Sequence, residues 1–219
     1  MIHPKRELLR LSKQICSIPS LTASLFANSA LQLKQQPTYR RVKKTSSFIL
    51  KNKPNILCQN LFSVDLGCGM LPKNPFDAEA CQGLDITASP PAINHWDAIR
   101  EAIPLDDESC SSVTAYDFIE HIPRAIIKDG KSHFPFVETM SEIHRVLKPG
   151  GVFLSHTPAF PFKQAFQDPT HVNIITEDTF PTYFCGKNCL AKIYGFRGEF
   201  QLIDQAWRGP KLLTIIRKA

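Results

Sequence analysis

Two sets of side chains in this 219-residue sequence are spaced so that they could do chemistry. The first begins at Val64-Asp65-Leu66-Gly67-Cys68-Gly69, where a short apolar run ends in two glycines. Glycine lets a chain turn sharply and approach a ligand with no Cβ in between, as in nucleotide-binding strand-to-helix turns. A purely structural turn gives the same string, so its weight depends on the residues downstream of it. Sixteen residues after Gly69, Gly83-Leu84-Asp85-Ile86 places an acid at the end of a second apolar run. Ligands bind at that end of an open parallel sheet, and a carboxylate there can accept both hydroxyls of a ribose. Beside the glycine loop, a merely solvent-facing Asp85 becomes the weaker reading.

The second set is histidine, whose ordinary pKa near neutrality suits it to accept a proton. His171 lies in Asp168-Pro169-Thr170-His171-Val172-Asn173, between stretches rich in phenylalanine and tyrosine. Asp168 could orient it beside an apolar pocket, or the two could simply tie down a loop. His121 follows the apolar run at 112–116 and His156 ends the run at 151–156. Asp117, Glu120, Asp168 and Asn173 are candidates for the polar wall of an acceptor site. No metal is expected: Asp117, Asp168 and Asn173 could be assembled into a ligand set but have no spacing signature. Cys185 and Cys189 lack a second pair of zinc-site spacing.

These residues need a frame. Residues 61–66, 81–86, 112–116 and 151–156 read as buried strands, and 134–147 carries helical spacing through Phe136, Met140, Ile143 and Leu147. Strands alternating with helices imply a parallel sheet covered on both faces. Residues 199–206 and 212–217 flank Gly209 and Pro210, the spacing of an antiparallel hairpin.

Composition narrows the setting. The chain is 43% hydrophobic, enough for one domain with a core plus an extension. Seven scattered cysteines argue against a disulfide framework, and no apolar window reaches membrane-spanning length. The expectation is a cytoplasmic protein. Residues 1–53 hold eleven Lys and Arg against Glu7 alone, whereas the remainder is net acidic. A basic extension over residues 1–54, with helical spacing near 8–15, 21–33 and 40–50, would therefore precede a domain at 55–219. It could meet an anionic partner, or be a solvated helical arm.

The ordered set of Val64 to Gly69, Gly83 to Ile86, Ile103-Pro104-Leu105-Asp106-Asp107-Glu108-Ser109 and Arg145-Val146-Leu147-Lys148-Pro149-Gly150-Gly151 resembles class I S-adenosylmethionine-dependent methyltransferases of type 11. The resemblance covers about residues 56–217. It implies a Rossmann-like α/β fold with a seven-stranded, mostly parallel sheet, a C-terminal antiparallel hairpin and helices on both faces. It also implies S-adenosylmethionine as cofactor. Asp65, Gly67, Cys68 and Gly69 would lie against the methionine portion, Asp85 and Ile86 at the ribose, and Asp97, with Asp106 as its rival, at the adenine. Asp117 would complete the cofactor site. Two departures are a missing third loop glycine, replaced by Met70-Leu71-Pro72, and an adenine acid farther than usual from the Ile-Pro-Leu element.

The stretches Pro72-Lys73-Asn74-Pro75-Phe76, 116–124 and 156–180 are similar to a subgroup found among bacterial polysaccharide and glycosyl-transfer genes. That similarity implies O-methylation of a sugar or glycan-type acceptor, with His171, His121 and His156 as candidate bases. Other readings are a small-molecule or natural-product O- or N-methyltransferase, and a non-catalytic cofactor-binding regulatory subunit. An RNA methyltransferase anchored by the basic segment is disfavoured, since no base-methylation motif or RNA module is present.

Overall fold

The computed structural model describes residues 40–53, 62–87 and 93–219. The expected helices at 8–15 and 21–33, and the anionic-partner surface, lie outside these residues. No helix among the described residues is long and apolar enough to cross a membrane.

A seven-stranded sheet organises the domain. Its strands are β1 (Phe62–Leu66), β2 (Ala80–Asp85), β3 (Ile93–His95), β4 (Cys110–Tyr116), β7 (Leu147–Pro158), β8 (Phe200–Arg208) and β9 (Lys211–Lys218), in the order β3-β2-β1-β4-β7-β9-β8. The first five are mutually parallel, whereas β9 runs antiparallel to both β7 and β8. The expected fold is therefore observed, hairpin included. Gly209, at φ 57°, makes the tight return between β8 and β9. Burial follows from position: every residue of β4 from Cys110 to Ala115 is buried, as is Ser63 to Leu66 of β1, because central parallel strands are covered on both faces.

Helices lie on both sides. Helix α1 (Thr45–Asn52) buries Phe48 and Ile49 with Phe76, Val152, Leu154, Leu213 and Ile215. The alternate residue Phe153 points to the opposite face, where its ring meets Phe180 of the short helix α3 (Thr179–Tyr183). Phe136 of α2 (Pro135–Val146) packs against Phe180 and Phe184 there. In α2, Phe136, Met140 and Ile143 recur at helical spacing and are buried, as expected of a core-facing stripe.

Residues 40–42 do not join α1, since Val42 N–H donates to Trp207 O at 2.7 Å and Trp207 N–H donates to Arg40 O at 2.7 Å. Asp204 on β8 then gathers Arg40, Lys51 (3.2 Å) and Asn52 (2.9 Å). The compact unit runs Arg40–Ala219 and includes α1 with the sheet. A small hairpin, β5 (Ile126–Lys128) with β6 (Lys131–His133), turns at Asp129-Gly130 and leaves the sheet edge above β4.

Candidate active site

The C-terminal ends of β1, β2 and β4 form one edge, and the chemistry-bearing residues collect there. Asp65 is fully buried: its Oδ1 accepts the Thr114 hydroxyl at 2.6 Å and its Oδ2 accepts Lys73 N–H at 2.8 Å. Burial raises its carboxyl above the ordinary range. Both oxygens are engaged inside the protein, where Asp65 holds the loop from below.

Gly67 and Gly69 both adopt left-handed backbone, φ 59° and 61°. A Cβ on Gly67 would stand 2.2 Å from Phe118 Cδ2, so the turn after β4 rests directly on this glycine. A Cβ on Gly69 would meet nothing within 4 Å, so its backbone faces open space. The Cys68 thiol turns inward toward Gly83, where a Cβ would come within 2.5 Å of its sulfur, and burial pushes it up to about 11. The Cys68 sulfur is used for packing.

Asp85 Oδ2 accepts Gly69 N–H at 2.8 Å, and Oδ1 accepts the N–H and hydroxyl of Thr87 at 2.8 and 2.7 Å. Burial works against its charge, but these donors more than offset it and hold the carboxyl below the ordinary range. A carboxylate has about four acceptor positions, so one remains for a further donor here. Ile86 beside it is exposed. Asp97 follows β3 at the same edge, where its Oδ1 caps Ile99 N–H at 2.9 Å. Its rival Asp106 is exposed and precedes β4, at the opposite edge from the glycine loop, which removes it from this site.

An open glycine backbone next to an ionised acid with spare acceptor capacity fits a ribose-bearing cofactor. Residues 57–155 match the family described as Methyltransferase domain. The chain carries a methyltransferase domain over these residues. Among solved structures, an S-adenosylmethionine-dependent methyltransferase from Archaeoglobus fulgidus is similar at 15% identity and TM-score 0.51, over 80% of this chain and 92% of that one. A chain of the complex of the Haloferax volcanii Trm112 methyltransferase activator with a methyltransferase gives 15% and 0.51, over 80% and 88%. The methyltransferase CalH in complex with SAH gives 12% and 0.50, over 82% and 56%. No curated protein matches the sequence.

Beyond β4 lie the remaining polar residues that the sequence brings forward. Asp117 sits in left-handed backbone at φ 52°, with its N–H donated to His156 O at 2.9 Å and its carboxylate paired with Lys211. A non-glycine residue there stores strain of roughly 1–3 kcal/mol. The turn Ile119–His121 comes next, and the loop 168–173 lies against it. The His121 and His171 rings meet edge to face, centroids 4.8 Å apart. Thr170 Oγ1 lies 2.9 Å from His121 Nδ1 and donates its proton to Asp168 Oδ1 at 2.7 Å. Asp168 Oδ2 is 3.9 Å from His171 Nε2, while His171 Nδ1 is buried without a partner. Asp168 is itself exposed, and the two Thr170 donors lower its carboxyl.

Glu120 is buried beneath this pair. Its Oε2 accepts the Thr157 hydroxyl at 2.7 Å, its Oε1 has no partner, and burial raises its carboxyl. His156 is buried with both ring nitrogens unpartnered and lies beside Tyr116, ring centroids 5.4 Å apart; desolvation lowers it to about 4. Asn173 is also buried. Its Nδ2 donates to Ile119 O (3.0 Å), its Oδ1 accepts Arg124 Nε–H (2.7 Å), and its N–H donates to Glu120 O (2.9 Å). Asn173 is the pin that holds the loop to the turn. Thr170, Thr157, Thr114 and Phe118 were not singled out from sequence. Only Thr170 had a signal, the Asp-x-Thr pattern in which an aspartate bonds two residues ahead.

Proposed function

We propose that this methyltransferase transfers the methyl group to a hydroxyl oxygen of a sugar or glycan-type acceptor. The observation that carries the reading is the His121–His171 pair above Glu120, on a turn that rests on Gly67. S-adenosylmethionine, when bound, supplies a methyl group on a sulfonium. The protein must align the acceptor with it, exclude water and receive the hydroxyl proton. The backbone at Gly67, Cys68 and Gly69 receives the methionine end, Asp85 and Ile86 the ribose side, and Asp97 the adenine side. Asp117 walls the site near Lys211. His171, with His121 beside it, accepts the proton, and Asp168 lies 3.9 Å from its Nε2. His156 stays neutral above about pH 4 and serves as floor.

A second reading, a small aromatic or natural-product acceptor, is favoured by a groove of about 300 Å³ lined by Phe134, Phe136, Tyr183 and Tyr194 with Arg124 at its side. Aromatic rings beside a cation suit the C–H face of a sugar as well as a planar ring. A screen with labelled cofactor across nucleotide sugars, oligosaccharides, phenols and RNA separates these. Transfer to a sugar hydroxyl is expected, and labelling of RNA or amines alone refutes it. His171→Ala should lower kcat by roughly 10²–10⁴; turnover equal to the parent across pH 6 to 8 would remove His171 as the base.

A further inference from the structure

Among the described residues, Glu120, His121 and His171 bring one carboxylate oxygen and one nitrogen from each ring to within 4.8 Å of one another. Each of the three side chains is fixed through one atom and has another left over. Glu120 is 1% exposed, with Oε2 held by Thr157 and Oε1 unpartnered. The Thr170 hydroxyl has one proton, which goes to Asp168, so toward His121 Nδ1 it acts as acceptor. His121 therefore carries its proton on Nδ1 and keeps the lone pair on Nε2. His171 has Asp168 near its Nε2 and leaves Nδ1 buried and free. Imidazoles held from behind by hydroxyl or carboxylate groups, with the opposite nitrogen unprotonated, are arranged as metal-ligating histidines are.

We propose that Glu120, His121 and His171 bind one divalent transition-metal cation. Two imidazole nitrogens and one carboxylate oxygen suit zinc, manganese or iron; magnesium and calcium prefer all-oxygen sets. Ligand bonds of roughly 2.0–2.2 Å at tetrahedral angles put donor atoms about 3.3–3.6 Å apart, so side-chain rotations that draw these atoms in by up to about 1.5 Å close the site. Three protein ligands leave at least one coordination position open. A cation there would also supply the partner that Glu120 Oε1 and His171 Nδ1 lack.

The assignment of the open positions to an acceptor hydroxyl rests on the methyl-transfer reading, whereas binding of the cation does not. Cation binding and proton acceptance compete for the same His171 lone pair, so His171 acts as the base in the metal-free protein alone.

The full chain, stripped by dialysis against a chelator, would be titrated with Co²⁺ and with Zn²⁺, following visible absorption for cobalt and metal content for both. One equivalent per chain is expected. His121→Ala and His171→Ala should each weaken binding at least tenfold, with S-adenosylmethionine affinity and melting temperature close to the parent. Both histidines lie on surface segments, so they carry the test if Glu120→Gln does not fold. Absence of stoichiometric binding, or unchanged affinity in His171→Ala, overturns the site. Methyl transfer at full rate in the metal-free protein, abolished by His171→Ala, overturns the cation's part in the reaction and keeps His171 as base. Stoichiometric cation binding with no transfer to any hydroxyl acceptor keeps the site and sinks the acceptor reading.

Discussion

Gly67 and Gly69 share a backbone conformation yet should fail in different ways when replaced by alanine. At Gly67 the new methyl would lie 2.2 Å from Phe118 Cδ2 and 2.9 Å from Phe118 Cβ, so rotating the ring cannot clear it. Overpacking of this kind costs about 1–3 kcal/mol, and the left-handed backbone adds about 1–2 kcal/mol. A loss of about 2–5 kcal/mol corresponds to a fall in Tm on the order of 10 °C for a chain of this size. At Gly69 nothing lies within 4 Å, so only the backbone cost of about 1–2 kcal/mol remains. There the methyl instead occupies the space proposed for the cofactor, and affinity for S-adenosylmethionine should drop at least tenfold. Thermal melts of both variants, with calorimetry against the cofactor, measure the two effects separately. Adding Phe118→Ala to Gly67→Ala should restore part of the lost stability. The reasoning is refuted if Gly67→Ala melts within a degree or two of the parent, or if Gly69→Ala binds the cofactor as tightly as the parent does.

His156 should make stability depend on pH: its folded pKa is about 4 against an ordinary 6.5, so between these values the unfolded chain holds a proton that the folded chain excludes. Stability then falls as pH drops from about 6.5 toward 4, by up to about 3 kcal/mol, and urea midpoints should show this slope reduced in His156→Leu. Asp65→Asn turns an amide donor toward Lys73 N–H or the Thr114 hydroxyl and should cost about 2–3 kcal/mol by chemical denaturation, with reduced cofactor affinity. Phe48→Ala, at a residue 1% exposed, should cost about 3–5 kcal/mol if α1 is part of the core; a loss under about 1 kcal/mol would show that the helix is dispensable.

The sheet was legible because its central strands are short runs of apolar and small residues bounded by turn residues, and the glycine loop and Asp85 because their spacing reflects the turn between parallel strands. Strand β3 was not, since three residues are too few for any periodicity to register. The β5–β6 hairpin had a signal, Asp129-Gly130 after Ile126-Ile127, which is the common two-residue turn pattern. The helical spacing of 40–50 was real, but pairing with Trp207 holds residues 40–42 outside the helix, a long-range contact that no local pattern records. The acceptor side was read by residue type alone. Type does not distinguish Asn173, whose polar atoms are consumed in holding a loop, from His171, which has a nitrogen to spare.

Arg145 belongs to the most specific string of the sequence, yet it binds the segment that precedes β4, at the edge of the sheet opposite the glycine loop. Its guanidinium donates to Ile103 O, Leu105 O and Asp107 and forks onto Glu142, tying α2 to the segment that enters β4. A descendant that had lost methyl transfer would still be selected to retain this arginine, because without it the entrance to the central strand comes loose. Presence of the string in a genome therefore counts copies of the scaffold, and a census of working enzymes has to be taken at the edge of the sheet where Gly69 and Asp85 meet.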